Sequence, residues 1–258
     1  MTIEPIHQFN IEPLFTLGHI GGHTIAFTNS SAFMFLAVAL ISLLMIAGVS
    51  AGQLVPGRMQ SMAEISYEFV ATTIRSTAGS EGMKFFPLVF SLFMFICVSN
   101  LVGVIPYAFT LSSHLIVTAA LALLVFFTVL IYGFYKNGLK FFKIFVPSGI
   151  PIFILPLVVF IEVFSFFLRP VSHSVRLFAN MLAGHITLQV FAGFIIMIAG
   201  FVALLGTSLG VIGWIGGIAP LALTVAIYAL EILVAFLQAY VFAIQTCIYL
   251  NDALHPGH

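Results

Sequence analysis

Charge is what this sequence has least of. Asp, Glu, Lys and Arg make up only 6% of 258 residues, eight acids against eight bases, for a formal net charge of zero. An ordinary soluble domain is about 25% charged. So few charges cannot clothe a globule of this size in water, which excludes a soluble enzyme. Without a basic excess there is no surface for nucleic acid. Cysteine is equally scarce. Cys97 and Cys247 sit in apolar stretches with no CxxC and no His at ligand spacing. They read as small buried apolar side chains, not as a disulfide or a metal site. Residues 1–28 contain no Lys or Arg, so they do not read as a secretory signal peptide, which opens on a basic region. HExxH, Walker A and GxGxxG are missing, so no metal or cofactor site is expected. Gly206-Thr-Ser-Leu-Gly210 spells G-x-S-x-G, but it lacks the strand–turn–helix context that makes a nucleophile elbow.

What is present is apolar: 62% of residues are hydrophobic and 29 are Phe. Such a chain needs the bilayer as its solvent. Its apolar runs are continuous and about twenty residues long, the length of a crossing helix, not the alternating ten-residue pattern of a barrel. The sequence therefore predicts an all-α membrane protein, a single integral domain over 1–258. Residues 1–31 form an N-terminal segment and 32–51 a first span. In 58–76, Met62, Ile65, Phe69 and Ile74 fall near one helix face and Gln60, Glu64, Glu68 and Arg75 on the other. That pattern predicts an amphipathic helix lying in the interface. Residues 85–135 form a helical hairpin, turning at 104–113. Basic residues follow the first span (Arg58, Arg75, Lys84) and the third (Lys136, Lys140, Lys143) and avoid the turn and the N-terminal segment. The positive-inside rule then puts the N-terminus outside.

Residues 144–203 hold only Glu162, Arg169 and Arg176 as charges. Hydropathy leaves two readings: two crossings split near Arg169-Pro170, or one long oblique helix bent at Pro156 or Pro170. The glycine-rich stretch 200–217 reads as a break, 218–250 as a last long helix, and 251–258 as a tail.

Within 144–203 the polar groups fall on one line. At about 100° per residue, Glu162, Ser165, Arg169, Ser172 and Asn180 all lie within about 40° of Arg176. His185 lies about 180° away and serves another surface. In the last helix Thr224, Glu231, Gln238 and Gln245 recur every seventh residue, drifting only about 20° per step, and Tyr249 joins them. Helices that line up polar groups in hydrocarbon are lining something polar. An Arg at a helix centre costs about 2.5–3.5 kcal/mol to insert and cannot shed its proton. Arg176 therefore has to meet an anion or water. Glu162 is about 21 Å away along the axis, too far to pair. That leaves either an interhelical ion pair with Glu231 or an anion on a partner subunit. Arg169 reads more simply as snorkelling to an interface beside Pro170. His185 and Glu231 are titratable groups able to hand on a proton.

Ser172-His-Ser-Val-Arg-Leu-Phe-Ala-Asn-Met-Leu-Ala-Gly-His185, Ala229-Leu-Glu-Ile-Leu-Val-Ala-Phe-Leu-Gln-Ala-Tyr240 and Asn100-Leu-Val-Gly-Val-Ile-Pro106 resemble subunit a of the rotary F-type ATP synthase membrane sector. The resemblance runs from about residue 30 onward, and the 251–258 tail looks alphaproteobacterial. It implies about five crossings, with 144–250 as a pair of long, strongly tilted helices. It implies a proton-conducting stator subunit, not catalytic by itself, in a bacterial inner membrane or, as the lesser option, a mitochondrial one. Its implied partners are membrane lipids, a ring of small c-type proteolipids, b-type peripheral-stalk subunits and the rest of the synthase. Arg176 would face the ring carboxylate, with Asn180 and Gln238 beside it. His185 and Glu231 would form the outer path and Glu162 the cytoplasmic one. Arg169, Ser165, Ser172 and Gln245 join the proton path as lesser members through their place on the same polar lines, not through the resemblance. The alternative is an ion-coupled secondary transporter, which calls for inverted repeats of broken helices; the Arg-bearing segment has no counterpart in the first half.

Overall fold

The computed structural model describes residues 10–20, 23–52, 55–105, 108–146, 151, 153–205 and 210–254. Pro106 of the hairpin motif, residues 206–209 of the G-x-S-x-G pattern and residues 255–258 of the tail lie outside them. Six long helices carry the fold: α1 (Asn29–Ala51), α2 (Arg58–Gly82), α3 (Phe86–Val104), α4 (Leu115–Asn137), α5 (Leu155–Leu205) and α6 (Gly210–Leu254). Among the described residues, five helical segments are long and apolar enough to cross a membrane, α2 and α3 being continuous enough to count as one.

Before α1 the chain forms something the helical pattern did not predict. Strands β1 (Pro13–Ile20) and β2 (His23–Thr28) pair antiparallel. Residues 10–28 are rich in Phe, Thr and Ile, residues that favour strands. Thr28 then caps α1, its hydroxyl accepting from the Ser31 amide, which satisfies one of the free N–H groups at a helix start.

Helix α1 is an outer helix, with Phe35, Leu43, Ile46 and Val49 exposed. In water such a face would be a liability; against acyl chains it is a solvated surface. Gly48 lets α1 approach α2: a Cβ there would stand 2.6 Å from that of Ala63. α2 runs on to Gly82, past the predicted end at 76, and changes direction at Gly79, whose φ of 67° few L side chains adopt.

Helices α3 and α6 form the centre. α3 buries Val89, Leu92, Phe93, Met94 and Ile96 and packs on α1, α2 and α6. α6 buries a row at four-residue spacing, Glu231, Ala235, Ala239, Ala243 and Cys247. Small side chains let neighbouring backbones approach where no hydrophobic effect drives helices together. The same core includes Val70 and Ile74 of α2, Phe93 of α3, and Leu177 and Met181 of α5.

The ambiguous region resolves as one helix. α5 is 51 residues long and continuous through Pro170, so no second crossing begins there. At 1.5 Å per residue it reaches about 77 Å, against about 30 Å of hydrocarbon. α6, with 45 residues, reaches about 68 Å. Neither fits upright, so both have to run obliquely. The break expected across 200–217 is narrower than the glycine run: residues 200–205 continue α5 and 210–217 already belong to α6, with 206–209 outside the described residues. Gly costs about 1 kcal/mol relative to Ala in a helix. In a bilayer a helix satisfies every backbone group internally, and leaving it costs several kcal/mol per group. Helicity wins.

Candidate functional site

α5 divides its polar residues between two faces. Its buried face runs through Phe166, His173, Ser174, Leu177, Met181 and His185. The opposite face carries Ser165, Ser172 and Asn180, all exposed, with Glu162, Arg169 and Arg176 half-buried at its margin. Pro170 lies within the helix. Having no N–H, it leaves the carbonyl one turn earlier without its helical donor.

The buried face meets α6 and the turn between α3 and α4. His185 Nε2 stands 3.5 Å from Glu231 Oε1, with both side chains almost wholly enclosed. Neither carboxyl oxygen of Glu231 takes a hydrogen bond from the described residues. Gly184 makes the contact possible, since a Cβ there would lie 3.0 Å from Glu231 Oε1. The same His185 nitrogen is 3.0 Å from Thr110 Oγ1. Glu231 thus pairs with an imidazole, which excludes it as the counter-ion of Arg176 in this arrangement.

The hairpin turn is part of the site, although its sequence read as a plain connector. Thr110, Leu111, Ser112 and Ser113 are all buried. Ser112 Oγ donates to Asn100 Oδ1. Asn100 Nδ2 donates to the Ala235 carbonyl at 3.3 Å, one turn along α6 from Glu231. His114 stacks on Phe109 with ring centroids 4.8 Å apart, and burial lowers its pKa. On α4, Thr118 Oγ1 lies 3.1 Å from Ser174 Oγ of α5. Asn100 was the available signal: a lone amide inside an apolar span has to find partners.

Toward the other end of α5, Arg169 is held within the chain. Its Nη1 lies 2.7 Å from Asp252 Oδ2, and its guanidinium lies over the rings of Phe166 and Tyr249. To the simple snorkelling reading the structure adds an ion pair that ties α5 to the end of α6. His173 is buried, edge-on to Phe242 with centroids 3.8 Å apart, and its Nε2 has no hydrogen-bond partner among the described residues.

Arg176 differs from Arg169. The ion pairs among the described residues are Lys136–Glu81, Arg169–Asp252 and His185–Glu231, so none involves Arg176. Glu162 likewise joins no ion pair, and Gln238 and Gln245 are half-buried along α6. No group of three or more His, Cys, Asp or Glu that could hold a metal occurs among the described residues.

Residues 31–251 match the protein family described as "ATP synthase A chain". The chain is 80% identical over 258 residues to "ATP synthase subunit a" of Bradyrhizobium diazoefficiens, covering 100% of both. It is 75% identical over 256 residues to "ATP synthase subunit a" of Rhodopseudomonas palustris strain BisB18, covering 99% of this chain and 100% of the relative. To the protein of the same name from Nitrobacter winogradskyi it is 73% identical over 256 residues, with the same coverage. A match across almost the whole length, carried by a chain of membrane-crossing helices, leaves one assignment: the chain belongs to the ATP synthase A chain family.

Proposed function

We propose that the chain is the proton-conducting stator subunit of ATP synthase, in a bacterial inner membrane, and that its two polar surfaces are separate half-channels. It is not catalytic by itself. It assembles with the rest of the synthase, including a ring of small proteolipids against the exposed face of α5 and b-type stalk subunits elsewhere. Protons enter from outside past Glu231 and His185 and neutralise a carboxylate on the ring. The ring turns, and the carboxyl then meets Arg176 from the far side and gives up its proton toward Glu162. Asn180 and Gln238 flank the exchange, with Ser165, Ser172 and Gln245 as polar lining. Each charge moved gains about 2.3 kcal/mol per 100 mV of membrane potential.

The observation that carries this reading is the half-buried Arg176 with no ion-pair partner among the described residues. A guanidinium cannot neutralise itself, and an unpaired cation in hydrocarbon is costly. A carboxylate delivered by a moving partner satisfies it and is held ionised there. The same fixed charge bars a proton from leaking between the half-channels. Arg169 lies on the cytoplasmic side and acts structurally, through Asp252. The transporter alternative has no observation in its favour.

Cross-linking is the direct test. With Cys at 172 or 180, the purified complex should form a disulfide to a proteolipid Cys placed beside its carboxylate. If neither position cross-links while a Cys on α1 does, the ring lies elsewhere and the reading fails.

A further inference from the structure

The polar cluster at the hairpin turn contains one atom with two suitors. His185 Nε2 lies 3.0 Å from the Thr110 hydroxyl and 3.5 Å from Glu231 Oε1. The Thr110 hydroxyl has a second acceptor in reach, the Gly103 carbonyl at 3.5 Å. We propose that Thr110 is a positioning residue for proton transfer between Glu231 and His185: the orientation of its hydroxyl decides whether Nε2 offers a lone pair or an N–H to the carboxyl group. The proposal rests on the reading above, in which these two residues carry protons.

Two arrangements follow from the donor and acceptor inventory. When the Thr110 O–H donates to Nε2, the imidazole proton sits on Nδ1 and the Nε2 lone pair is occupied. When the hydroxyl turns to donate to the Gly103 carbonyl, the lone pair is released. A protonated Glu231 can then break its O–H bond as an N–H bond forms at Nε2. The products are a carboxylate and an imidazolium. Loss of the Nδ1 proton onward returns the imidazole to neutral, with its proton on Nε2, where the Thr110 oxygen accepts from it. One proton is taken from Glu231 and one is released from Nδ1; before the next transfer Glu231 is reprotonated from the outer side and the imidazole returns its proton from Nε2 to Nδ1.

This needs a hydroxyl fixed relative to both helices, and the turn supplies that. Thr110 is fully buried. Its carbonyl accepts from Ser113 Oγ at 2.7 Å. The Ser112–Asn100–Ala235 chain of hydrogen bonds anchors the turn to α3 and to α6 near Glu231.

The test uses membrane vesicles containing the whole complex, with passive proton conduction measured at equal complex content. Thr110→Val, which keeps the shape and removes the hydroxyl, should slow conduction about fivefold to tenfold, the factor one hydrogen bond commands. Thr110→Ser should restore it to near wild type. In a His185→Ala background, Thr110→Val should add nothing. Unchanged conduction in Thr110→Val overturns the proposal, as does failure of Ser to rescue or an equal further loss in the His185→Ala background. Should Val not assemble, Thr110→Ala is judged by the same criteria. If no variant lacking the hydroxyl assembles while Ser does, Thr110 is a structural residue and the proposal falls. Normal conduction in His185→Ala alone would instead remove the relay itself.

Discussion

His185 and Glu231 face each other across α5 and α6, with Nε2 and Oε1 3.5 Å apart and both side chains buried. The pair combines an acid with an imidazole in a place where neither is solvated by bulk water. Each is a group that water would otherwise titrate freely; here the two stand within reach of each other, with the Thr110 hydroxyl also beside the imidazole.

Glu231→Gln keeps the size of that side chain and removes its ability to take up and release a proton. Passive conduction through the complex should fall by about 10²-fold, the lower end of what positioned proton-transfer groups contribute. His185→Ala should also slow it, with assembly intact in both. Dye-quenching rates in stripped vesicles report the effect, and wild-type rates in both variants would take the pair out of the path.

Gly184 is where a backbone and a carboxyl group touch. A Cβ would stand 3.0 Å from Glu231 Oε1, so Gly184→Ala should displace the carboxyl group without preventing assembly. Overpacking of this kind costs about 1–3 kcal/mol. The expected result is severalfold slower conduction in Gly184→Ala and a larger loss in Gly184→Val. Equal rates across the series would mean that the Glu231 position is not critical.

Asn100 is enclosed completely and bonds both Ser112 and the Ala235 carbonyl. Asn100→Leu preserves volume but orphans both groups, at about 1–3 kcal/mol each. The variant complex should show a lower thermal transition and reduced membrane content of this subunit. An unchanged transition would show the turn to be held by packing alone.

Sequence and structure diverge in a consistent way. The periodicity of the apolar residues marked the helices, because lipid leaves a backbone few alternatives. It placed His185 on the face of its helix opposite Arg176, and burial separates the enclosed His185 from the half-buried Arg176. What it could not supply was the partner of each polar group. The Arg169–Asp252 pair joins residues far apart in the chain. The turn holding Thr110 and Ser112 looked like a loop, because local polarity resembles solvent exposure. The glycine run at 200–217 suggested a longer break than the described residues allow, since 200–205 and 210–217 are helical: a preference measured in water is overruled where backbone groups have no water to turn to.

The two arginines of α5 should behave differently. Arg169 has its own carboxylate at 2.7 Å, on partly exposed side chains. Exposed pairs contribute about 0.2–1 kcal/mol, so Asp252→Asn should leave most coupled ATP synthesis intact, with at most a small drop in thermal stability. Loss of coupling in Asp252→Asn at normal subunit content would place this pair in the proton path.

The decisive measurement is ATP synthesis driven by an imposed proton gradient in vesicles carrying Arg176→Ala in an otherwise complete complex. Synthesis should fall to background while the complex assembles and its soluble sector still hydrolyses ATP. Coupled synthesis at the wild-type rate would contradict the account at its centre.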